Sequence, residues 1–181
     1  PPDGYGTGHA VRAALAGMAE GREATAVLYA DTPLLRAETV SGLISLRAGS
    51  GAAVAVLSAR VEEPTGYGRI VRNESGGMTA IVESHVASED QLRIDEINTG
   101  IMVFESDWLR ANINALEPDP EKGEVLLTDT VALALAQGRA VECLTLADPA
   151  EGMGCDDRAD LAEAETRLRR RKLGELMAAG V

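Results

Sequence analysis

Residues 24–31, Ala24-Thr25-Ala26-Val27-Leu28-Tyr29-Ala30-Asp31, form a continuous apolar run of strand length that ends on a carboxylate. A run without polar alternation predicts a strand buried on both faces, as in parallel sheets, and Pro33 marks its exit into a loop. Ligands of open α/β sheets bind beyond the carboxyl ends of the strands, so Asp31 stands where chemistry is expected. Upstream, Val11, Ala14, Leu15 and Met18 fall at helical spacing and predict a helix over 8–19, stopped by Gly21. Downstream, Val40, Leu43, Ile44 and Ala48 predict a second helix over 38–48, Gly49-Ser50-Gly51 ends it, and 52–61 returns as a strand.

The middle of the chain changes character. Short apolar runs at 70–72 and 78–82 flank Asn73-Glu74-Ser75-Gly76-Gly77, which reads as a hairpin. Strands are expected at 97–104 and 141–146, helices at 108–116, 125–137 and 158–179. Strand–helix alternation with an inserted hairpin predicts a three-layer α/β domain around a mixed, mostly parallel sheet. With 181 residues the chain suits one domain that buries roughly 70% of its unfolded surface. Nucleotide-binding α/β sheets usually open with a strand, whereas this sequence opens at the loop before a helix and so reads as truncated at its front.

Lys and Arg number 17 against 29 Asp and Glu, giving a formal net charge of -12, which disfavours nucleic acid and anionic lipid as partners. A phosphate-bearing ligand would need local help, most simply a metal ion. Aromatic residues are only 3% of the chain and scattered, so there is no stacking platform for single strands. No apolar run approaches the roughly 20 residues of a membrane span, and no signal or lipidation motif is visible, so a cytoplasmic setting and unpaired Cys143 and Cys155 are expected.

Gly4-Tyr5-Gly6-Thr7-Gly8-His9 opens the first helix with the spacing G-x-G-x-G, which misses the dinucleotide fingerprint but allows close backbone approach at a helix N-terminus. The other reading is a flexible helix start. Asp31 suits Mg²⁺, which takes one or two protein oxygens; the alternative is a turn or cap Asp before Pro33. Gly154-Cys155-Asp156-Asp157-Arg158 adds carboxylates at a loop-to-helix junction, where Asp is commonly a cap. Asn98 and Thr99 sit in an otherwise apolar strand and need partners, from backbone or from a ligand's hydroxyls. Glu83 ends the hairpin, where it could bind a polyol or simply be solvated. His9 and His85 lack companions for zinc, and no serine forms a G-x-S-x-G elbow. The basic run Arg167 to Lys172 reads as a solvated helix face balanced by nearby acids.

Taken together, Gly6-Thr7-Gly8-His9-Ala10, Leu28 to Leu34, Pro64 to Ile70, Ile81-Val82-Glu83 and Glu96 to Gly100 resemble the uridyltransferase domain of the bacterial bifunctional N-acetylglucosamine-1-phosphate uridyltransferase and glucosamine-1-phosphate acetyltransferase family. Gly123-Glu124, Leu127-Thr128-Asp129 and 154–158 extend the likeness over essentially the whole chain. The resemblance implies a Rossmann-like nucleotidyltransferase of the glycosyltransferase-A type, with a partial catalytic domain over 1–157 and a connector helix over 158–181. It implies Mg²⁺-assisted transfer of uridylate from UTP to N-acetylglucosamine-1-phosphate, giving UDP-N-acetylglucosamine and pyrophosphate. By position, Gly6 and Thr7 would meet the uridine, Tyr29, Ala30 and Asp31 would line the nucleotide-sugar cleft, and Gly68, Glu83 and Asn98 would hold the amino sugar. Asp31 and Asp156 would hold Mg²⁺.

The sequence departs from that family in places. The opening strand with its Gly-rich, basic phosphate clamp is not in this sequence, and Pro1 stands near where a uracil-reading Gln is expected. Ala30 replaces a usual glycine, and Asp156 an Asn, which keeps an oxygen ligand and adds negative charge. The family's β-helix and the trimer it builds lie outside these residues. Two functional classes therefore follow: a sugar-nucleotide uridyltransferase, or a non-catalytic nucleotide-sugar-binding fragment; transfer to another sugar-1-phosphate is a variant of the first.

Overall fold

Two central strands, β2 (Val54–Arg60) and β5 (Glu96–Glu105), sort their side chains to opposite faces with the two-residue period of extended chain. Val54, Val56, Met102 and Phe104 enter one apolar cluster; Ala55, Leu57, Ala59, Ile101 and Val103 enter the other. The computed structural model describes residues 5–181. Helices α1 (Thr7–Gly17), α4 (Ser106–Asn112) and α5 (Asp129–Ala136) cover the first face through Val11, Leu15, Trp108, Leu109 and Val131. Helix α2 (Ala37–Ser50) covers the second through the fully buried Leu43. These are the three layers expected, and burial of each such side chain contributes about 1.5–3 kcal/mol.

The six-stranded sheet is completed by β1 (Ala24–Val27), the hairpin β3 (Arg69–Arg72) and β4 (Met78–Val82), and β6 (Val141–Thr145). Its path runs β4-β3-β5-β2-β6, with β1 paired to β5. The hairpin falls where its turn chemistry placed it: Gly76 N–H donates to Asn73 O at 2.9 Å and Gly77 N–H to Asn73 Oδ1 at 2.8 Å. A short helix α3 (Glu89–Leu92) follows, closed by a Ser88–Gln91 capping box. The long α6 (Arg158–Ala178) ends the chain. No helix among the described residues is long and apolar enough to cross a membrane, and both cysteines are free.

The layered α/β architecture with a mixed sheet holds, but the sheet is not mostly parallel in its pairings. Among the described residues only β2–β6 is parallel; β5 runs against β1, β2 and β3, and β4 against β3. Because β5 intervenes, β1, β2, β3 and β6 still point the same way. The reading of 24–30 as a strand buried on both faces is corrected for the same reason. β1 stops at Val27, pairs antiparallel with Met102–Glu105 and, among the described residues, has no neighbour on its other edge, which leaves Leu28 47% exposed. The helix expected from residue 125 begins only at Asp129, because Val125 is held extended in a bridge to Pro118.

Candidate active site

The glycines before α1 are there for packing. Gly6 has φ +105°, and a Cβ on it would sit 2.5 Å from the Val125 carbonyl oxygen; one on Gly8 would sit 2.7 Å from Val125 Cγ1. Gly8 N–H donates to Val125 O, Val125 N–H to Tyr5 O (both 2.8 Å), and Leu127 N–H to Thr7 Oγ1 at 3.0 Å. The segment 5–8 is thereby strapped to 124–127 rather than being a flexible helix start. Gly4 and Pro1, which the sequence reading also involved, lie outside the described residues.

From Thr7 a continuous wall of side chains runs across the end of the sheet. Burial raises the Tyr29 hydroxyl above its ordinary range; a hydrogen bond with Thr7 opposes this, and the charges of Asp31 and Glu83 add to it. The Tyr29 ring lies against Gly100, where φ is +80° and a Cβ would come within 2.6 Å of Tyr29 Cε2. Only glycine meets both demands. Gly100 N–H donates to Asn98 Oδ1 at 3.0 Å, which leaves the Asn98 amide nitrogen free to donate. Asn98 N–H in turn donates to Gly68 O at 2.8 Å. A Cβ on Gly68 would meet Glu83 Oε2 at 3.3 Å, so the bare glycine lets the carboxylate lie over the hairpin. Thr128 Oγ1 donates to Glu83 Oε1 at 2.9 Å and leaves Oε2 for another donor. Nearby Asp129 is raised by burial and by the charges of Glu83 and Asp119, and Asp119 is 3.2 Å from His85 Nε2.

At the mouth of the sheet Asp31 leaves the turn after β1, and Cys155 N–H donates to Asp31 O at 2.9 Å. Gly154 passes so close that a Cβ there would be 3.8 Å from Asp31 Oδ2. The junction acids divide their tasks. Asp157 caps α6 by accepting from Ala159 and Asp160 N–H at 2.7 and 2.9 Å, and Asp160 Oδ2 accepts from Asp156 and Asp157 N–H. The carboxylates of Asp31 and Asp156 have no hydrogen bond or ion pair among the described residues. Both charges act on the same groups: burial raises Tyr67, followed by Asp156, Asp160 and Asp31, and burial raises Cys155, followed by Asp160, Asp31 and Asp156.

Among the described residues no group of three or more His, Cys, Asp or Glu is arranged to hold a metal ion. An ion here would take at most the two exposed aspartates. That donor set fits a hard cation such as Mg²⁺, which keeps most of its octahedron for water and phosphate oxygens, and does not fit a closed zinc cage. The structure thus brings Thr7, Tyr29, Asp31, Gly68, Glu83, Asn98 and Asp156 to one end of the sheet, with Gly6 at its edge and Ala30 exposed beside Asp31. Thr128, which orients Glu83, Tyr67, which faces the acidic mouth, and Gly100, which seats Tyr29, were given no site role from the sequence. The polar Thr128-Asp129 pair breaking an apolar run was the available signal for the first.

Residues 1–80 match the family model described as MobA-like NTP transferase domain. The chain is 43% identical over 176 residues to the bifunctional protein GlmU of Pelobacter propionicus, covering 97% of this chain and 38% of that protein. It is 44% identical over 180 residues to GlmU of Thermobifida fusca (97% and 37%) and 43% over 176 residues to GlmU of Corynebacterium glutamicum (97% and 36%). Among solved structures it superposes on CMP:2-keto-3-deoxy-manno-octonic acid synthetase complexed with CTP, with a TM-score of 0.64 at 15% identity over 91% of this chain and 68% of that one. Fold and sequence together define a nucleotidyltransferase-type domain. The particular likeness, along nearly all of its length, is to the bifunctional GlmU proteins, in agreement with the resemblance read from the motifs. The chain spans 36–38% of the length of these relatives.

Proposed function

We propose that this chain belongs to a cytoplasmic uridyltransferase that joins UTP to N-acetylglucosamine-1-phosphate, releasing pyrophosphate and UDP-N-acetylglucosamine. Residues 1–157 would form the catalytic part and 158–181 a connector. The observation that carries this reading is the pair of exposed carboxylates, Asp31 and Asp156, which have no partner among the described residues and whose charges both act on Tyr67, beside a wall that ends in Glu83 and Asn98. Glu83 Oε2 would accept from a sugar hydroxyl and the Asn98 amide would donate to an acyl oxygen. Thr7 and Gly6 would lie along the nucleoside, with Tyr29 and Ala30 between it and the sugar. An oxygen of the sugar's anomeric phosphate attacks the α-phosphorus of UTP, the bond to the β-phosphate breaks, and pyrophosphate leaves with that electron pair. No nucleophile or base of the protein is required, so its contribution is positioning and charge balance. Asp31 and Asp156 would hold Mg²⁺, which when bound supplies neutralisation of the phosphates in a cleft that is otherwise acidic.

Pyrophosphate release from UTP and N-acetylglucosamine-1-phosphate, followed with and without Mg²⁺, tests the proposal. Turnover that disappears in Asp31→Ala supports it. Product binding without turnover in the full-length protein would instead favour the non-catalytic reading, and turnover with a different sugar-1-phosphate would change the substrate but not the chemistry.

A further inference from the structure

Farther along α6 from the candidate active site, a cleft of about 260 Å³ is lined by Arg36, Arg167, Arg170 and Arg171, with Asp148 and Gly174 completing its rim. The basic run on α6 is therefore not uniformly a solvated face. Arg169 and Lys172 turn outward and pair with Glu165 and Glu175, at 2.8 and 3.3 Å. Arg167, Arg170, Arg171 and Gly174 follow i, i+3, i+4, i+7 spacing and line the cleft, Arg171 half-buried and the other three exposed. Gly174 has nothing within 4 Å of a Cβ position, so the absence of a side chain keeps the cleft open.

Among the described residues, two of the four arginines are paired with carboxylates and two are not. Arg171 donates to Leu34 O at 2.9 Å and Arg36 Nε lies 3.2 Å from the buried Glu151, which also accepts from Thr39 Oγ1 at 2.5 Å. Arg167 is paired with Glu163 at 2.8 Å. Arg170 and Arg171 form no ion pair among the described residues. Asp148 has one oxygen committed to Ala150 N–H at 3.1 Å. With Arg36 and Arg167 paired and Asp148 on the rim, Arg170 and Arg171 leave a local excess of positive charge in a chain whose net charge is -12.

We propose that this cleft binds a small phosphate-type polyanion, of the size of pyrophosphate or of the terminal phosphates of a nucleotide. Guanidinium forks grip phosphate oxygens in pairs, and the volume is below the roughly 300–1,000 Å³ of sites that enclose a drug-sized ligand whole. The inference is independent of the uridyltransferase proposal, because none of these residues is placed in that site.

Isothermal titration of the full chain with inorganic pyrophosphate in EDTA isolates the cleft from any metal-dependent binding. One site per chain is expected, weakening with salt. Arg170→Ala and, separately, Gly174→Glu should each lower affinity by about tenfold or more, with unchanged circular dichroism, while Asp31→Asn leaves it unchanged. UTP binding as tightly as pyrophosphate would identify a nucleotide's phosphates as the source, and pyrophosphate alone the free anion. No binding at millimolar pyrophosphate, equal affinity in both cleft variants, or loss of binding in Asp31→Asn would overturn the proposal.

Discussion

Two acidic regions of this molecule are built on opposite plans. Around Glu96, which is 2% exposed on β5, every charge is answered: Arg72 Nε and Nη2 donate at 2.8 and 2.6 Å, Ser58 at 2.6 Å and Thr145 at 3.0 Å, and Arg60 lies 3.3 Å away. Burial alone, the largest single influence, would push this carboxyl up, but the Arg72 guanidinium and the two hydroxyls outweigh it and hold it down at about 2. Arg72 is raised in return, first through its bond to Glu96. At the sheet mouth, Asp31 and Asp156 are exposed and answered by nothing among the described residues. The first arrangement fastens β2, β3, β5 and β6 together through one carboxylate. The second leaves oxygen donors free, which serves a bound cation and does nothing for the fold.

The sharpest way to break the contrast is at Glu96. Replacing it with Ala strips Arg72 of its partner in a buried setting, and a loss of about 3–5 kcal/mol is expected by urea unfolding. A loss under about 1 kcal/mol would mean that the network is incidental. Acid should act on the same residue. Its folded value of about 2 lies below the ordinary 4.5, so the stabilisation is complete above pH 4.5 and fades as pH falls toward about 2. The amount at stake is on the order of 3 kcal/mol, and melting temperatures across that range should fall more steeply for the wild type than for Glu96→Gln. Equal slopes would assign acid unfolding to other carboxylates.

Next in size is the wall between the two regions. Gly100→Ala puts a Cβ 2.6 Å from the Tyr29 ring at a residue with φ +80°. A destabilisation of about 1–3 kcal/mol should follow, with Tyr29 displaced and its fluorescence altered. An unshifted melting temperature would show that the ring is free to move and that the wall is not preorganised.

What the sequence made legible divides along the same line between local and distant causes. The hairpin was readable because Asn73 and Gly76-Gly77 make their bonds with one another. The apolar run 24–30 gave away a strand but not its neighbour, since pairing with 102–105 is fixed by residues far along the chain. Leu127 falls at helical spacing with 131 and 134, yet it sits in a turn tied to Thr7, 120 residues away, and Val125 before it is held extended by its bridge to Pro118. At the site, the quoted motifs contained Glu83, Asn98 and Gly68 with roles and Thr128, Gly100 and Tyr67 without them, because the last three matter through tertiary neighbours that no spacing rule reveals. Asp156 and Asp157 are adjacent and chemically identical; only the capping bonds of α6 show which one is spent.

The smallest expected effect on stability is at Asp31, and its smallness is the point. Its carboxylate makes no bond among the described residues, and the charges of Asp156 and Asp160 act on the same phenol and thiol as its own. Asp31→Asn should therefore change metal-free stability by no more than about 0.5 kcal/mol, in the stabilising direction if like-charge repulsion is relieved. Added Mg²⁺ should raise the melting temperature of the wild type, because a ligand that binds only the folded state stabilises it by mass action, and should leave Asp31→Asn unmoved. A variant that loses stability without metal would reveal a structural partner for Asp31. A variant that still responds to Mg²⁺ would move the cation elsewhere, and the difference drawn between a spent carboxylate and a free one would no longer separate framework from chemistry.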